Sequence, residues 1–325
     1  MKILILGGAG FLGTNLIHHY LDDPETVLTA ADIAPFSELL ASPRFPGKYD
    51  SVKLLHADIC DSGRMFDLVQ GHDVIFNCAA QSSHTLSLQN PLQDAAVNCT
   101  GTLNLLEAVR RGNPEAVVVY PSTTTAIGPL LEEVADESHQ ENPLEIYSAN
   151  KGVAEKYYRI YHDVHGLRTV VLRFANVYGP FGKGEPYYGF INYFLRLARE
   201  DRELRIFGDG EQKRNVMYAG DAARAFALAA KTPELEGGLY HATSSFHLSV
   251  REIAETIVRI FGRGRVLHVP WPDDRRKIEV HSVAYSSEKL RAKTGWHAEI
   301  NFETGLRLMA AALDISLAAA LDRQS

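Results

Sequence analysis

Cysteine is scarce in this sequence, and basic charge is outweighed. Only three cysteines, Cys60, Cys78 and Cys99, occur in 325 residues. An odd number without metal-ligand spacing gives neither a disulfide framework nor a thiolate metal site, so reduced thiols and no bound metal are expected. Lys and Arg number 33 against 40 Asp and Glu, a formal net charge of −7. That balance argues against a general nucleic-acid binder, which carries a basic face, but leaves room for small basic pockets. Long apolar runs are lacking too. Ile3–Leu6 stops at glycine after four residues, too short for a signal-peptide core. Nothing approaches the roughly 20 apolar residues that span a bilayer. No low-complexity tract or fixed-period repeat is present. A cytoplasmic protein without membrane or nucleic-acid partners is the expectation.

What is present is a regular alternation. The length exceeds what one hydrophobic core usually supports, so two lobes are expected. Candidate strands are Lys2–Leu6, Val27–Ala31, Val52–Leu55, Val74–Asn77, Ala116–Tyr120 and Thr169–Arg173. Most are continuously apolar, as strands buried on both faces of a parallel sheet are. Helical spacing links them: Leu12, Leu16, Ile17, Tyr20 and Leu21 after the first strand, and Leu103, Leu105, Leu106 and Val109 in a segment from about Gln93. The pattern predicts an α/β chain built on a doubly wound parallel sheet. Beyond Arg173 it loosens into a loop rich in Gly, Pro and aromatics at 179–190. A helix at Ile191–Arg199, a strand at Arg214–Tyr218 and a helix that Asp221 could cap follow. Ser249 and Glu252 form a capping box, and a last helix starts near Glu303. The expected division is a Rossmann lobe of residues 1–176, with 214–240 returning to it. A smaller, mainly C-terminal α/β lobe of 177–213 and 241–325 would bind the substrate.

The glycines Gly7, Gly10 and Gly13 stand three apart between the first strand and its helix, ahead of Phe11 and Leu12. A tight strand-to-helix turn needs residues without Cβ, and the helix N-terminus then offers N–H groups to a pyrophosphate. Asp32 ends the second strand, where a carboxylate accepts hydrogen bonds from adenosine ribose hydroxyls and repels a 2′-phosphate. No arginine follows it directly, so NAD is favoured over NADP. Asp58, after the third strand, is placed to meet the adenine edge. Ala79 and Ala80 end the fourth strand with small residues that let backbone approach a cofactor.

Tyr147 and Lys151, in YSANK, are four apart and so share a helix face. A free tyrosine has a pKa of about 10 and is a poor base at neutral pH. A nearby ammonium and a positively charged nicotinamide would stabilise its phenolate. The pair gains meaning from VVVYPSTTTAIG, residues 117–128, a strand that ends in hydroxyls on the side where such sheets bind ligands.

Together these motifs resemble the extended short-chain dehydrogenase/reductase family, the NDP-sugar epimerases and dehydratases. The resemblance spans nearly the whole chain through GGAGFLG, NCTGTLNLLEA (98–108), YSANK with Glu155, LRFANVYGP (172–180), RNVMYAGD (214–221) and TGW (294–296). It implies that Thr123 is the catalytic hydroxyl, sharing the proton path between Tyr147 and a sugar hydroxyl, while Lys151 binds the nicotinamide ribose. It places Ile59, Asn98 and Phe174 with the glycine loop around NAD. Ser83, Thr124 and Asn176 then fall at the nucleotide sugar, and Arg214 and Arg276 at its pyrophosphate. His84 reads as a pocket or loop residue. Homodimers are implied, formed by helices at about Gln93–Arg111 and Tyr147–His162.

Departures from the family pattern bear on the reaction. Leu6 replaces the usual Thr before the first glycine. Thr123 is followed by Thr124 and Thr125, where 4,6-dehydratases carry Asp-Glu and decarboxylases of the family carry Glu. Elimination therefore lacks its acid and base in this stretch. The leading expectation is an NAD-dependent NDP-sugar epimerase acting at C4, of the UDP-glucose/UDP-galactose type, through a transient keto sugar. A 2-epimerase of the CDP-tyvelose type and a keto-sugar reductase are the alternatives. A non-catalytic NAD-binding regulator comes last.

Overall fold

The computed structural model describes residues 1–41, 48–280 and 282–321. Its centre is a seven-stranded sheet made of β1 (Lys2–Leu6), β2 (Val27–Asp32), β3 (Val52–His56), β4 (Val74–Asn77), β5 (Val117–Thr123), β6 (Arg168–Phe174) and β10 (Leu239–Ala242). Every pairing is parallel, in the order β10-β6-β5-β4-β1-β2-β3. The strand order reverses between β1 and β4, and a crevice opens there beyond the carboxyl ends. This is a doubly wound Rossmann sheet.

The continuously apolar strands follow from its two covered faces. Ile3 and Ile5 enter one core with Val117 and Val119, while Leu4 and Leu6 enter the other with Val118 and Tyr120. Alternate side chains point to opposite faces, so both sets must be apolar. β5 runs past the expected end at Tyr120, through Pro121 to Thr123. Proline lacks an N–H for the ladder. It is tolerated because β4 pairs only as far as Val119, leaving β6 alone beside Pro121.

The continuous helix expected from Gln93 is interrupted. A helix at Pro91–Ala95 passes through a π turn at Ala96–Thr100 into the helix Gly101–Gly112. Asp221 does not cap the helix Ala219–Lys231, whose N-cap is Tyr218. Its buried carboxylate lies in the first turn, accepting from Ile300 N and pairing with Arg224. That helix packs into the sheet core through Ala222, Ala223 and Phe226.

Further along the chain are β7 (Asn176–Tyr178), β8 (Glu203–Phe207), β9 (Lys213–Tyr218), β11 (His247–Ser249) and β12 (Arg265–Val269). They form a three-stranded sheet β11-β9-β7 and a parallel pair β12-β8. Helices Phe190–Arg199, Val250–Phe261 and Phe302–Leu321 surround a third core with Phe194, Ile253, Ile257 and Leu306. The capping box is complete: Ser249 Oγ accepts from Glu252 N, and Glu252 accepts from Ser249 N.

Candidate active site

The parallel register brings the expected cofactor residues to one edge. Leu6 pairs with both Ala31 and Asn77, so Gly7, Asp32 and Cys78 emerge side by side. Gly7 adopts φ +74°, and a Cβ there would stand 2.6 Å from Ala79 N. A Cβ on Gly13 would run into the Gly7 carbonyl, so the helix packs on the loop only as glycine. Gly10 is the N-cap of the helix Phe11–Tyr20, with no side-chain cap to occupy the amides. A backbone cradle at a helix N-terminus is the result, suited to a diphosphate. Leu6 cannot brace this turn. Thr14 does so instead, donating from Oγ1 to Gly8 O at 3.1 Å.

Asp32 Oδ2 accepts from Ala9 N at 3.0 Å and Oδ1 from Ala34 N at 2.8 Å. The carboxylate thus fixes the glycine loop while standing at its rim. Asp58 closes its own turn through Cys60 N at 2.9 Å and is exposed, beside buried Ile59. Ala79 and Ala80 follow β4 with partial exposure. Asn98 sits in the π turn, buried; its Nδ2 donates to Gln81 O and Asp94, while its Oδ1 has no partner. That orphan oxygen, the side-chain-free cradle and Asp32 together fit a dinucleotide.

Thr123 ends β5 beside Phe174, and Tyr147 and Lys151 occupy the helix Ile146–His165 that covers β5 and β6. The Phe174 ring turns into the core, stacked on Phe226 at 5.0 Å. Lys151 is 3% exposed, and its Nζ lies 3.9 Å from the Tyr120 ring centroid. Burial drives its pKa from 10.5 to about 7 against the opposing pull of Cys78, Glu155 and Asp94. Burial also raises the Tyr147 pKa, reinforced by the carboxylates of Glu145 and Asp94. The sequence suggests a phenolate stabilised by an ammonium; in the ligand-free chain burial favours the phenol of Tyr147 and weakens the charged form of Lys151.

One group went unread in the sequence. Thr123 Oγ1 lies 2.8 Å from Thr125 Oγ1, which lies 2.5 Å from Ser148 Oγ. Ser148 Oγ bonds Glu145 Oε1, which also meets His84 Nδ1 at 2.8 Å. Burial opposes ionisation of Glu145, but His84 and Ser148 outweigh it and hold its pKa below the ordinary carboxylate value. The His84 ring stands edge-on to Tyr147, with centroids 5.0 Å apart. A carboxylate therefore reaches Thr123 from two residues before Tyr147 rather than from the residues after Thr123. Its sequence signal was an acidic residue at the N-cap of the helix.

The residues expected at the substrate are dispersed in role. Ser83 is fully buried and caps the helix His84–Gln89 through Leu86 N. Thr124 is buried and hydrogen-bonds Tyr285. Asn176 donates from Nδ2 to Asn215 O at 3.0 Å. Arg214 donates to Val280 O at 3.0 Å and pairs with Glu279. Arg276 is exposed at the end of a short helix, Asp273–Arg276. No cluster of three or more His, Cys, Asp or Glu placed for a metal occurs among the described residues. Among them, no helix is long and apolar enough to cross a membrane.

A glycine cradle at the switch point of a doubly wound sheet, beside a Thr–Tyr–Lys site, defines a dinucleotide-dependent enzyme of the short-chain dehydrogenase/reductase type. The family model of the NAD dependent epimerase/dehydratase family matches residues 3–241, and the chain belongs to that family. NAD is accordingly its cofactor. The chain is 28% identical over 308 residues to a putative UDP-glucose 4-epimerase of Methanocaldococcus jannaschii, covering 94% of this chain and 96% of that one. It is 29% identical over 315 residues to a dTDP-glucose 4,6-dehydratase of Streptomyces niveus, covering 94% and 90%. Among solved structures, UDP-glucose 4-epimerase of Thermus thermophilus in complex with NAD superposes with a TM-score of 0.81 at 28% identity, covering 97% and 99%.

Proposed function

We propose that this protein is an epimerase of a nucleotide-diphosphate sugar, inverting C4 through a keto-sugar intermediate. The carrying observation is that hydroxyls, Thr124 and Thr125, follow Thr123 at the end of β5, where the sequence offers no carboxylate for elimination. Glu145 is the acidic group tied to Thr123, and both its oxygens are engaged, by Ser148 and His84 on one and by Ser87 at 3.2 Å on the other. Similarity to the methanogen epimerase supports the same reading. NAD, when bound, would supply the hydride acceptor and donor for the sugar carbon.

The chain's own groups handle the proton and the geometry. Tyr147 takes the proton of the C4 hydroxyl, and Thr123 shares that hydrogen bond. Lys151 holds the nicotinamide ribose and, once charged, favours the phenolate. Gly7, Gly10 and Gly13 with Phe11 and Leu12 hold the dinucleotide phosphates, Asp32 the ribose and Asp58 with Ile59 the adenine. Ala79, Ala80 and Asn98 complete the cofactor wall. Asn176 lines the sugar side, while Ser83 and Thr124 stand behind it, Ser83 capping the helix that carries His84. Arg214 exchanges Glu279 for the substrate diphosphate, with Arg276 beside it. The cofactor lobe is residues 1–176 with 214–240, and the remainder forms the substrate lobe. Two copies pair through the helices Gly101–Gly112 and Ile146–His165, and the free cysteines suit a cytoplasmic enzyme. Incubation with UDP-glucose and UDP-galactose tests the assignment; interconversion is the expected result, and absence of any epimer across a panel of NDP-hexoses would reject it.

A further inference from the structure

The chain of contacts from Thr123 to His84 has a direction. Glu145 as a carboxylate only accepts hydrogen bonds. Ser148 Oγ must therefore donate to it, which leaves Ser148 to accept from Thr125 and Thr125 to accept from Thr123. Each hydroxyl has one proton, so the order is forced from the carboxylate inward. Thr123 Oγ1 is left to accept from whatever hydroxyl enters the cleft. At the far end the His84 side chain is 42% exposed, with Nδ1 held by Glu145 and Nε2 left to solvent.

We propose that Thr125, Ser148, Glu145 and His84 form a proton relay that joins the reacting hydroxyl at Thr123 to bulk water. The proposal rests on the oxidation step assigned to Tyr147 above. When Tyr147 passes the proton taken from the sugar hydroxyl on to Thr123 Oγ1, the Thr123 hydroxyl proton moves to Thr125, the Thr125 proton to Ser148, and the Ser148 proton to Glu145. As Glu145 gains a proton, His84 in its imidazolium form releases one from Nε2 to water. Only O–H and N–H bonds break and form, one proton enters and one leaves, and the Glu145–His84 pair stays neutral overall. Returning the hydride reverses the sequence. Tyr147 is thereby relieved of storing the sugar's proton while the keto sugar turns in the pocket. Glu145 also caps the Tyr147 helix through Ser148 N, a structural role that a test must separate from the relay.

Thr125→Val makes that separation, because it breaks the relay and leaves the cap intact. In the NAD-loaded protein it should lower kcat at least about 100-fold, the lower end of the range for positioned proton transfer, with KM little changed. His84→Ala should lose a similar factor and recover kcat as imidazole is added. Tyr147→Phe, run alongside, should be inactive; activity there would overturn the oxidation reading and not the relay. Unchanged kcat in Thr125→Val, or no imidazole rescue in His84→Ala, would overturn the relay while the epimerase reading stands. A substrate-independent check is proton NMR of the NAD-loaded protein. A charge-assisted O–H···O⁻ bond should give an exchange-protected low-field resonance that Ser148→Ala abolishes. Its absence from the unmodified protein also overturns the relay.

Discussion

Lys151 is the residue at which stability and chemistry conflict most plainly. It titrates at about 7 folded against 10.5 ordinarily, because burial disfavours its charge. Between those values the unfolded chain binds a proton that the folded chain lacks, so this group's contribution to stability rises with pH. Below about pH 7 both states are protonated and the full penalty stands. Lys151→Met, which keeps the stem over the Tyr120 ring, should therefore stabilise the NAD-free protein. The gain should be roughly 2–4 kcal/mol near pH 6 and should shrink toward pH 10. Urea unfolding at several pH values measures it, and turnover should be lost in the same variant. The sequence motif puts Tyr147 and Lys151 on one helix but cannot give their charge states, which depend on a burial that no local spacing encodes. Glu145 escaped for a related reason. Its link to Thr123 runs through Ser148 and Thr125, and their meeting depends on how the helix lies across the end of β5.

At the scale of elements, the helix Ile146–His165 is pinned to β6 by a buried charge network. Arg173, 1% exposed, bonds Glu155 at 2.8 and 2.5 Å and Glu141 at 2.6 Å, while Ser122 Oγ donates to Glu155. Removing one member of such a pair strands a buried charge, so Glu155→Ala should cost about 3–5 kcal/mol. Glu155→Leu combined with Arg173→Met should recover much of that loss. Denaturant midpoints of the two variants decide the point; equal losses in the single and double variants would exclude the pinning role. The core strands were legible because two buried faces demand unbroken apolar runs, and β1 and β4 match the expected bounds to the residue. β5 was read short since Pro121 carries a turn signal, whereas the early end of β4 removes its penalty. The π turn at Ala96–Thr100 left no periodic trace, yet it is what places Asn98. β7 leaves little signal because it spans three residues, and β8 and β12 because they pair only with each other and lack the unbroken apolar run of a strand buried on both faces.

The whole molecule presents apolar side chains where the proposed dimer requires them. Val153, Ile160 and Val164 are exposed on the helix Ile146–His165, and Leu92 is exposed beside the π turn. Positions 153, 160 and 164 recur at helical spacing and form one stripe. Ile160→Asp with Val164→Asp should yield a folded monomer in sedimentation velocity, where the parent chain should sediment as a dimer. A monomeric parent chain would remove the dimer assignment. The central claim is that Thr123, Tyr147 and Lys151, lacking a free carboxylate, invert a sugar carbon without eliminating water. Proton NMR of the NAD-loaded protein with UDP-glucose, and then with a panel of other NDP-hexoses, tests it most directly. The account predicts an equilibrium mixture of two C4 epimers, no 6-deoxy-4-keto product, and loss of conversion in Tyr147→Phe. Accumulation of a 6-deoxy-4-keto sugar would contradict it.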